Sequence, residues 1–187
     1  MEKVLTGTST RPAKVVTDAG QAMVKLLGNP QGPHALAREW VGTRVAAWLG
    51  LPTFDMAMIE YTGDPPIEEV PATAGPAIVL RFVEGHVWDE TAEGLARCPP
   101  EQIAGLVVAD TWLRNDDRYG PPSAARPARV NPRNVFIAFT DDDRRDDLVA
   151  MDFTDALRLD RGLSRDPQSP RSTPEIPGLD TVTVGVA

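Results

Sequence analysis

The sequence predicts an α+β fold built of two lobes, and three patterns support this expectation. Short β-branched runs, typical of strands, fill much of the first 27 residues. Two longer segments space their apolar residues as helices do, and further strand-like runs lie between them. Two apolar runs around an acidic segment then predict a β-hairpin. The resulting order is β-β-β-α-β-β, then a helix, then the hairpin.

The first part of the chain is expected to form an antiparallel sheet and one helix. Residues 3–8, 13–17 and 21–27 predict three strands, with a hairpin turn at 18–20. Pro33 near its start and Gly50 at its end bound the helix. Residues at helical spacing predict its buried face, and both tryptophans among them are expected in the core: Leu36, Trp40, Val41, Val45, Trp48 and Leu49. Strands are also expected at 54–61 and 77–83, with residues 84–86 ending the second.

The second part of the chain is expected to be smaller. A helix is predicted from Pro99 and Pro100 to Leu113. Its inward-facing residues would be Ile103, Leu106, Val107 and Trp112. Strands near 134–139 and 148–151 flank residues 141–147, an acid-rich run that we interpret as a solvated hairpin tip. Beyond Asp155 the chain is polar and rich in proline, so little regular structure is expected there.

Composition excludes several classes of function. The 187 residues carry a net charge of −8 with no basic stripe, which makes a nucleic-acid partner improbable. The one cysteine, Cys98, excludes an internal disulfide, and two histidines are too few for a conventional zinc site. No signal peptide or membrane span is evident, so we expect a soluble cytoplasmic protein without a membrane partner. The oligomeric state is left open.

Lys25 is the first candidate site residue. It lies within a predicted strand and has apolar neighbours, and Glu39 on the following helix is a possible counter-charge. A strand lysine paired with a helix glutamate holds triphosphate oxygens in kinases. The alternative is an exposed edge lysine and an exposed helical glutamate. Upstream, Thr8 and Ser9 belong to a segment that is either a phosphate-covering loop or a bare turn.

Two acidic loops and an amide complete the pattern. Asp116 and Asp117 follow the second helix. One of them would face a cleft and be fixed there by Arg118 or Asn115. The alternative is an ordinary acidic loop. Pairing of the two last strands would bring Asn134 and Asp152 side by side at the open end of the hairpin. An amide oxygen and a carboxylate suit Mg²⁺, which also retains phosphate and water ligands. Asn134 as a simple turn residue is the alternative.

Together these residues resemble the HipA-like kinases, a branch of the protein-kinase-like superfamily. The similarity covers about residues 5–157. Its most specific segments are Met23–Pro33 with Leu36, Glu39, Trp40 and 49–52, then Asp110–Trp112, Asn115–Arg118, Asn134 and Met151–Phe153. The resemblance implies a two-lobed protein-kinase-like fold: an N-lobe over 1–84, with an antiparallel sheet and one helix, and a reduced C-lobe over 85–157. An irregular tail would occupy 158–187.

The resemblance also implies roles. Lys25 would hold the α- and β-phosphates of ATP, oriented by Glu39, with Thr8 and Ser9 over the phosphates. The segment Phe82, Val83 and Glu84 would form the hinge at the adenine. Asp117 would be the catalytic aspartate, and Asn134 and Asp152 would bind magnesium. The acceptor would be Ser or Thr of a protein.

Three departures from the family pattern keep alternatives open. Tyr119 stands where related kinases commonly carry histidine. A proline-rich insert separates Asp117 from Asn134, so Asn131 is a substitute candidate for the metal ligand. Residues 153–187 are too few for the usual helical lobe. The chain is therefore expected to be a minimal or truncated kinase, a nucleotide-binding pseudokinase that recognises a protein partner, or a small-molecule kinase.

Overall fold

The structure is a computed structural model, and it describes most of the first 157 residues. The described residues are 3–4, 12–28, 32, 34–63, 73–115, 117–120, 129–142 and 144–157. Within them lie a larger antiparallel sheet, a smaller one, a two-stranded ladder and three helices. None of these helices combines the length and hydrophobicity that crossing a membrane requires.

The larger sheet has five strands. They are β1 (Lys3–Val4), β2 (Ala13–Thr17), β3 (Gly20–Leu27), β4 (Met56–Tyr61) and β5 (Thr73–Arg81), in the spatial order β1-β2-β3-β5-β4. The predicted meander of β1, β2 and β3 is present, although residues 5–8 of its first strand lie outside the described residues. Gly20 adopts φ 112° at the β2–β3 turn, a conformation that glycine allows without steric cost.

Strand β5 begins earlier than the sequence predicts. It starts at Thr73 rather than at residue 77, although it contains Pro76, which has no N–H for a sheet. The pairing with β3 shifts in register between Lys25 and Leu27, and Pro76 falls within that shift. The irregular pairing with β3 therefore accommodates the proline. On its other side β5 pairs in regular register with β4, where Pro76 lies opposite Glu60.

The helices are α1 (Ala35–Trp48), α2 (Ala92–Leu95) and α3 (Pro100–Leu113). The predicted buried faces of α1 and α3 are partly wrong. Trp48 is 77% exposed and Trp112 is 61% exposed, and Val41 also faces outward. The buried face of α1 consists instead of Ala35, Leu36, Glu39, Gly42, Thr43 and Ala46. These are mostly small residues because the chain passes close to the helix there: a Cβ on Gly42 would lie 2.3 Å from the Cβ of Phe153.

The smaller sheet has three strands, β6 (Gly85–Val87), β9 (Val135–Phe139) and β10 (Asp146–Ala150), in the order β10-β9-β6. The two-stranded ladder pairs β7 (Tyr119–Gly120) with β8 (Arg129–Val130). Residues 84–86 were expected to end the preceding strand, but Gly85–Val87 form the separate strand β6. Gly85 instead lies against β9, where a Cβ would be 2.2 Å from the carbonyl oxygen of Ile137, so the glycine permits pairing at this point.

The predicted hairpin of β9 and β10 is present, but its acidic tip is only partly solvated. Asp141 and Asp142 are exposed. Asp146 is the first residue of β10 and only 5% exposed, and its carboxylate lies 3.2 Å from the Nε of Arg97. The arginine side chain therefore removes from solvent an acid that was expected in water. The main core lies between this sheet and helices α1 and α3, and it includes Leu106, Ile137, Leu148 and Phe153.

Candidate active site

Lys25, Glu39 and Asp152 form a buried ion-pair cluster. The Lys25 Nζ lies 2.8 Å from Glu39 Oε1 and 3.8 Å from Asp152 Oδ1. Strand β3 carries the lysine, helix α1 the glutamate, and the segment after β10 the aspartate. Lys25 is 7% exposed and Glu39 is 2% exposed. The alternative of an exposed edge lysine and an exposed helical glutamate is therefore excluded.

The cluster keeps Lys25 charged. Burial acts to lower the pKa of the Lys25 ammonium, but the carboxylates of Glu39 and Asp152 outweigh this effect. The pKa of Lys25 is consequently raised above its ordinary value of 10.5. The ammonium is therefore charged at neutral pH, and a charged ammonium can hold an anionic ligand.

Glu39 also holds the segment that follows β10. Its second oxygen, Oε2, accepts the Phe153 N–H at 2.7 Å. Phe153 is fully buried beneath α1, in the space that Gly42 leaves open. Both Glu39 oxygens are thus occupied, which explains how a carboxylate can lie in the core. The helix, the strand lysine and the Asp-Phe-Thr segment are linked through this one side chain.

Asp152 is held in an uncommon conformation. Its φ is 56°, in the left-handed region, which aspartate tolerates better than most residues. The Thr154 hydroxyl donates to Asp152 Oδ1 at 2.7 Å and fixes the carboxylate. Thr154 is fully buried. Sequence analysis assigned no role to this hydroxyl, although Thr154 follows Asp152 by two residues.

Asp117 and Asn134 form a second part of the site. The Asn134 amide donates to Asp117 Oδ2 at 2.7 Å, and the Asn131 amide donates to the same oxygen at 3.5 Å. The amide nitrogen of Asn134, rather than its oxygen, therefore faces Asp117. A short 3₁₀ turn at Pro132–Asn134 positions this side chain before β9. Of the two candidate asparagines, Asn134 has the closer contact with Asp117.

The hairpin register brings the two candidate metal ligands to the same end of the sheet. Val135 pairs with Ala150, so Asn134 and Met151 are the next residues on neighbouring strands, and Asp152 follows. An amide and a single carboxylate suit Mg²⁺, which takes its remaining ligands from phosphates and water. Among the described residues, no group of three or more His, Cys, Asp or Glu is placed to hold a metal ion.

The predicted anchors of Asp117 are wrong. Arg118 and Asn115 donate side-chain hydrogen bonds to the carboxylate of Asp110 on α3 instead. Arg118 Nε donates to Asp110 Oδ2 at 2.7 Å, and the Asn115 amide donates to Asp110 Oδ1 at 3.2 Å. Burial raises the pKa of Asp110, although the charge of Arg118 and both hydrogen bonds act to lower it.

Asp110 is a site residue whose role sequence reasoning missed. It is the one acid in the second half of α3, eight positions before an arginine in the acidic loop. An acid in an otherwise apolar helix end is a usable signal, because such a group needs a partner when it is buried. The left-handed Arg114, at φ 52°, ends the helix and turns the loop back towards Asp110.

The expected hinge residues lie between the two sheets. Phe82, Val83 and Glu84 connect β5 to β6. The Phe82 N–H donates to the Gln21 carbonyl at 3.1 Å, and the Glu84 carbonyl accepts the Phe139 N–H at 3.0 Å. This segment is therefore anchored to both sheets, and none of its recorded contacts reaches the ion-pair cluster. Thr8, Ser9 and Asp116 lie outside the described residues.

Comparison with solved structures identifies the architecture. The chain is similar to a structure from Helicobacter pylori described as the proinflammatory kinase CtkA, with a TM-score of 0.51 and 13% sequence identity. The aligned region covers 84% of this chain and 58% of that one. The fold is kinase-like. No protein-family model matches the sequence, and no curated protein matches it.

The similarity to the solved kinase extends to the fold alone. The chain spans less than two thirds of the solved kinase, so the similarity concerns part of that protein. At 13% identity, the similarity concerns the fold and not the residues of the site. The chemistry of the site follows from the contacts that its own residues make in this chain: Lys25, Glu39, Asp117, Asn134 and Asp152.

Proposed function

We propose that the protein is an ATP- and Mg²⁺-dependent phosphotransferase related to the HipA-like kinases, with Ser or Thr of a protein as the acceptor. The observation that carries the proposal is the ion-pair cluster of Lys25, Glu39 and Asp152. Residues from three distant segments meet in it within a kinase-like fold. A purely structural cluster would not require Asp152 to be partly exposed, and its side chain is 18% exposed.

In this proposal Lys25 binds the α- and β-phosphates of ATP. Its ammonium is held by Glu39 at 2.8 Å and is charged across the physiological pH range. Glu39 orients the lysine through Oε1 and maintains the Asp152 segment through Oε2. The lysine can therefore hold the phosphates without a rearrangement of the helix.

Asn134 and Asp152 would hold the magnesium ion, which supplies charge neutralisation on the phosphates. Thr154 orients the Asp152 carboxylate, and Asp117 orients the Asn134 amide. Asp117 Oδ1 would accept the proton of the acceptor hydroxyl, or orient that hydroxyl. Phe82, Val83 and Glu84 would contact the adenine, and Thr8 and Ser9 the phosphates.

Phosphoryl transfer from ATP, followed as autophosphorylation or as turnover with a protein acceptor, tests this proposal. Asp117→Asn and Asp152→Asn are each expected to lower the rate by about 100-fold or more, since each removes a charge that acts on the reacting groups. Asp142→Asn is the matched control, because Asp142 is exposed at the hairpin tip. Rates equal to the parent in both site variants would contradict the proposal.

A nucleotide-binding pseudokinase that recognises a protein partner is the second candidate. One observation favours it: Asp117 Oδ2 already accepts the Asn134 amide at 2.7 Å, so only one oxygen remains for an acceptor hydroxyl. This candidate predicts thermal stabilisation by Mg·ATP without any transfer. The Asp117→Asn variant would then bind nucleotide as the parent does. A small-molecule kinase would instead show transfer to a low-molecular-weight acceptor.

A further inference from the structure

Arg118 contacts helix α3 and the two loops that carry Asn134 and Asp152. Its Nε donates to Asp110 Oδ2 at 2.7 Å, and one terminal nitrogen donates to the Met151 carbonyl at 2.8 Å. The other terminal nitrogen donates to the carbonyl of Asn134. The side chain is 4% exposed. A buried guanidinium with every nitrogen engaged is held in one orientation.

The two carbonyls that Arg118 binds belong to the metal-binding loops. One is the carbonyl of Asn134 itself, and the other is that of Met151, which precedes Asp152. Arg118 also follows Asp117 directly in the chain. The guanidinium carbon lies 5.3 Å from the centre of the Phe153 ring, so the residue after Asp152 is also in contact.

We propose that Arg118, anchored by Asp110, is a positioning residue that sets the spacing of Asn134 and Asp152 and thereby the affinity for the magnesium–nucleotide complex. The inference rests on the proposed function, because it concerns the same metal site. Arg118 acts through the backbone of the two loops and touches neither metal nor nucleotide. Residues that orient metal ligands typically change metal affinity by about 10- to 100-fold when they are replaced.

Arg97 provides a comparison of the same residue types elsewhere in the protein. Its Nε lies 3.2 Å from Asp146 Oδ2, but its side chain is 49% exposed. The pair lies where β10 begins, at the opposite end of that strand from Asp152. A lysine in either place keeps the charge but loses the planar fork of donors. Arg118→Lys and Arg97→Lys are therefore matched changes with different expected consequences.

The test is calorimetric titration of the full chain with ATP, once in excess Mg²⁺ and once in EDTA. Arg118→Lys is expected to weaken ATP binding in Mg²⁺ by about tenfold or more, and to change binding in EDTA by less than about twofold. Arg97→Lys is expected to leave both affinities unchanged. The readout is the dissociation constant in EDTA divided by the dissociation constant in Mg²⁺, because a general loss of stability does not change this ratio.

Asp110→Asn is the second variant, should Arg118→Lys not fold. It keeps an acceptor for Arg118 but removes the charge that anchors it, so the same ratio should fall by a smaller factor. Unchanged ratios in both variants, with only a lower melting temperature, would overturn the positioning role and leave the proposed function intact. A parent protein that shows no Mg²⁺-dependent ATP binding would overturn both.

Discussion

The two ends of the β9–β10 hairpin are both acidic, yet their acids have different surroundings. At the tip, Asp142 is exposed and accepts the N–H of Arg144, two residues away. At the open end, Asp152 is in contact with Lys25, which lies more than a hundred residues earlier in the chain. Local contacts serve the turn itself, whereas long-range charged contacts link separate elements. Acids are present at both ends of the hairpin, so the long-range contact with Lys25 is what distinguishes the candidate site.

The largest expected effect is the removal of Lys25. In Lys25→Met, the buried Glu39 and the partly exposed Asp152 would lose their counter-charge. Breaking a buried pair in this way costs about 3–5 kcal/mol. ATP binding should also be lost. The control is Arg145→Met at the hairpin tip, where the ion pair with Asp147 is half exposed and contributes less than about 1 kcal/mol. Urea unfolding measures the loss of stability in both variants. Equal losses would contradict the difference between the two ends of the hairpin.

A smaller effect is expected from Gly42→Ala. The added methyl group would lie 2.3 Å from the Phe153 Cβ, so either α1 or the Asp152 segment must move. Overpacking of this kind costs about 1–3 kcal/mol. Phe153→Ala in the same chain should recover part of the loss, because it removes the Phe153 Cγ, which lies 2.4 Å from the position of the added methyl group. A double-mutant cycle by thermal or urea unfolding measures this coupling, and strictly additive losses would contradict the contact.

The smallest effect concerns pH. The folded-state pKa of Lys25 is raised above 10.5, so its contribution to stability is present below that pH and is lost as the pH rises through the folded pKa. The difference in free energy of unfolding between the parent and Lys25→Met should therefore stay constant from neutral pH upwards and shrink only above about 10.5. A difference that already declines near neutral pH would contradict the charged cluster.

Much of the fold was predictable because it follows from local pattern. A β-branched run predicts β2, and the turn residues 18–20 predict the hairpin that leads into β3. The pairing of Lys25 with Glu39 was predictable because a lysine on a buried strand needs a counter-charge. The open end of the β9–β10 hairpin followed from two strands around an acidic tip.

The remainder depends on which surfaces meet, and periodicity does not contain that information. Trp48 and Trp112 fit helical spacing but face outward. Helix α1 packs through Gly42 and Glu39 instead, and helix α3 packs through Leu106 and Ala109. Strand β6 was missed because Gly85 suggests a break, and its value for close pairing appears only beside β9. The role of Asp110 depends on a loop that turns back towards the helix, which no single segment indicates.

The most direct test of the central claim is a titration of the parent and Asp152→Asn with ATP, with and without Mg²⁺, followed by melting temperature. Mg·ATP is expected to stabilise the parent by about 2.7 kcal/mol at a hundredfold excess over Kd. Asp152→Asn is expected to lose the Mg²⁺-dependent part of this stabilisation. A parent whose melting temperature does not respond to Mg·ATP would contradict it.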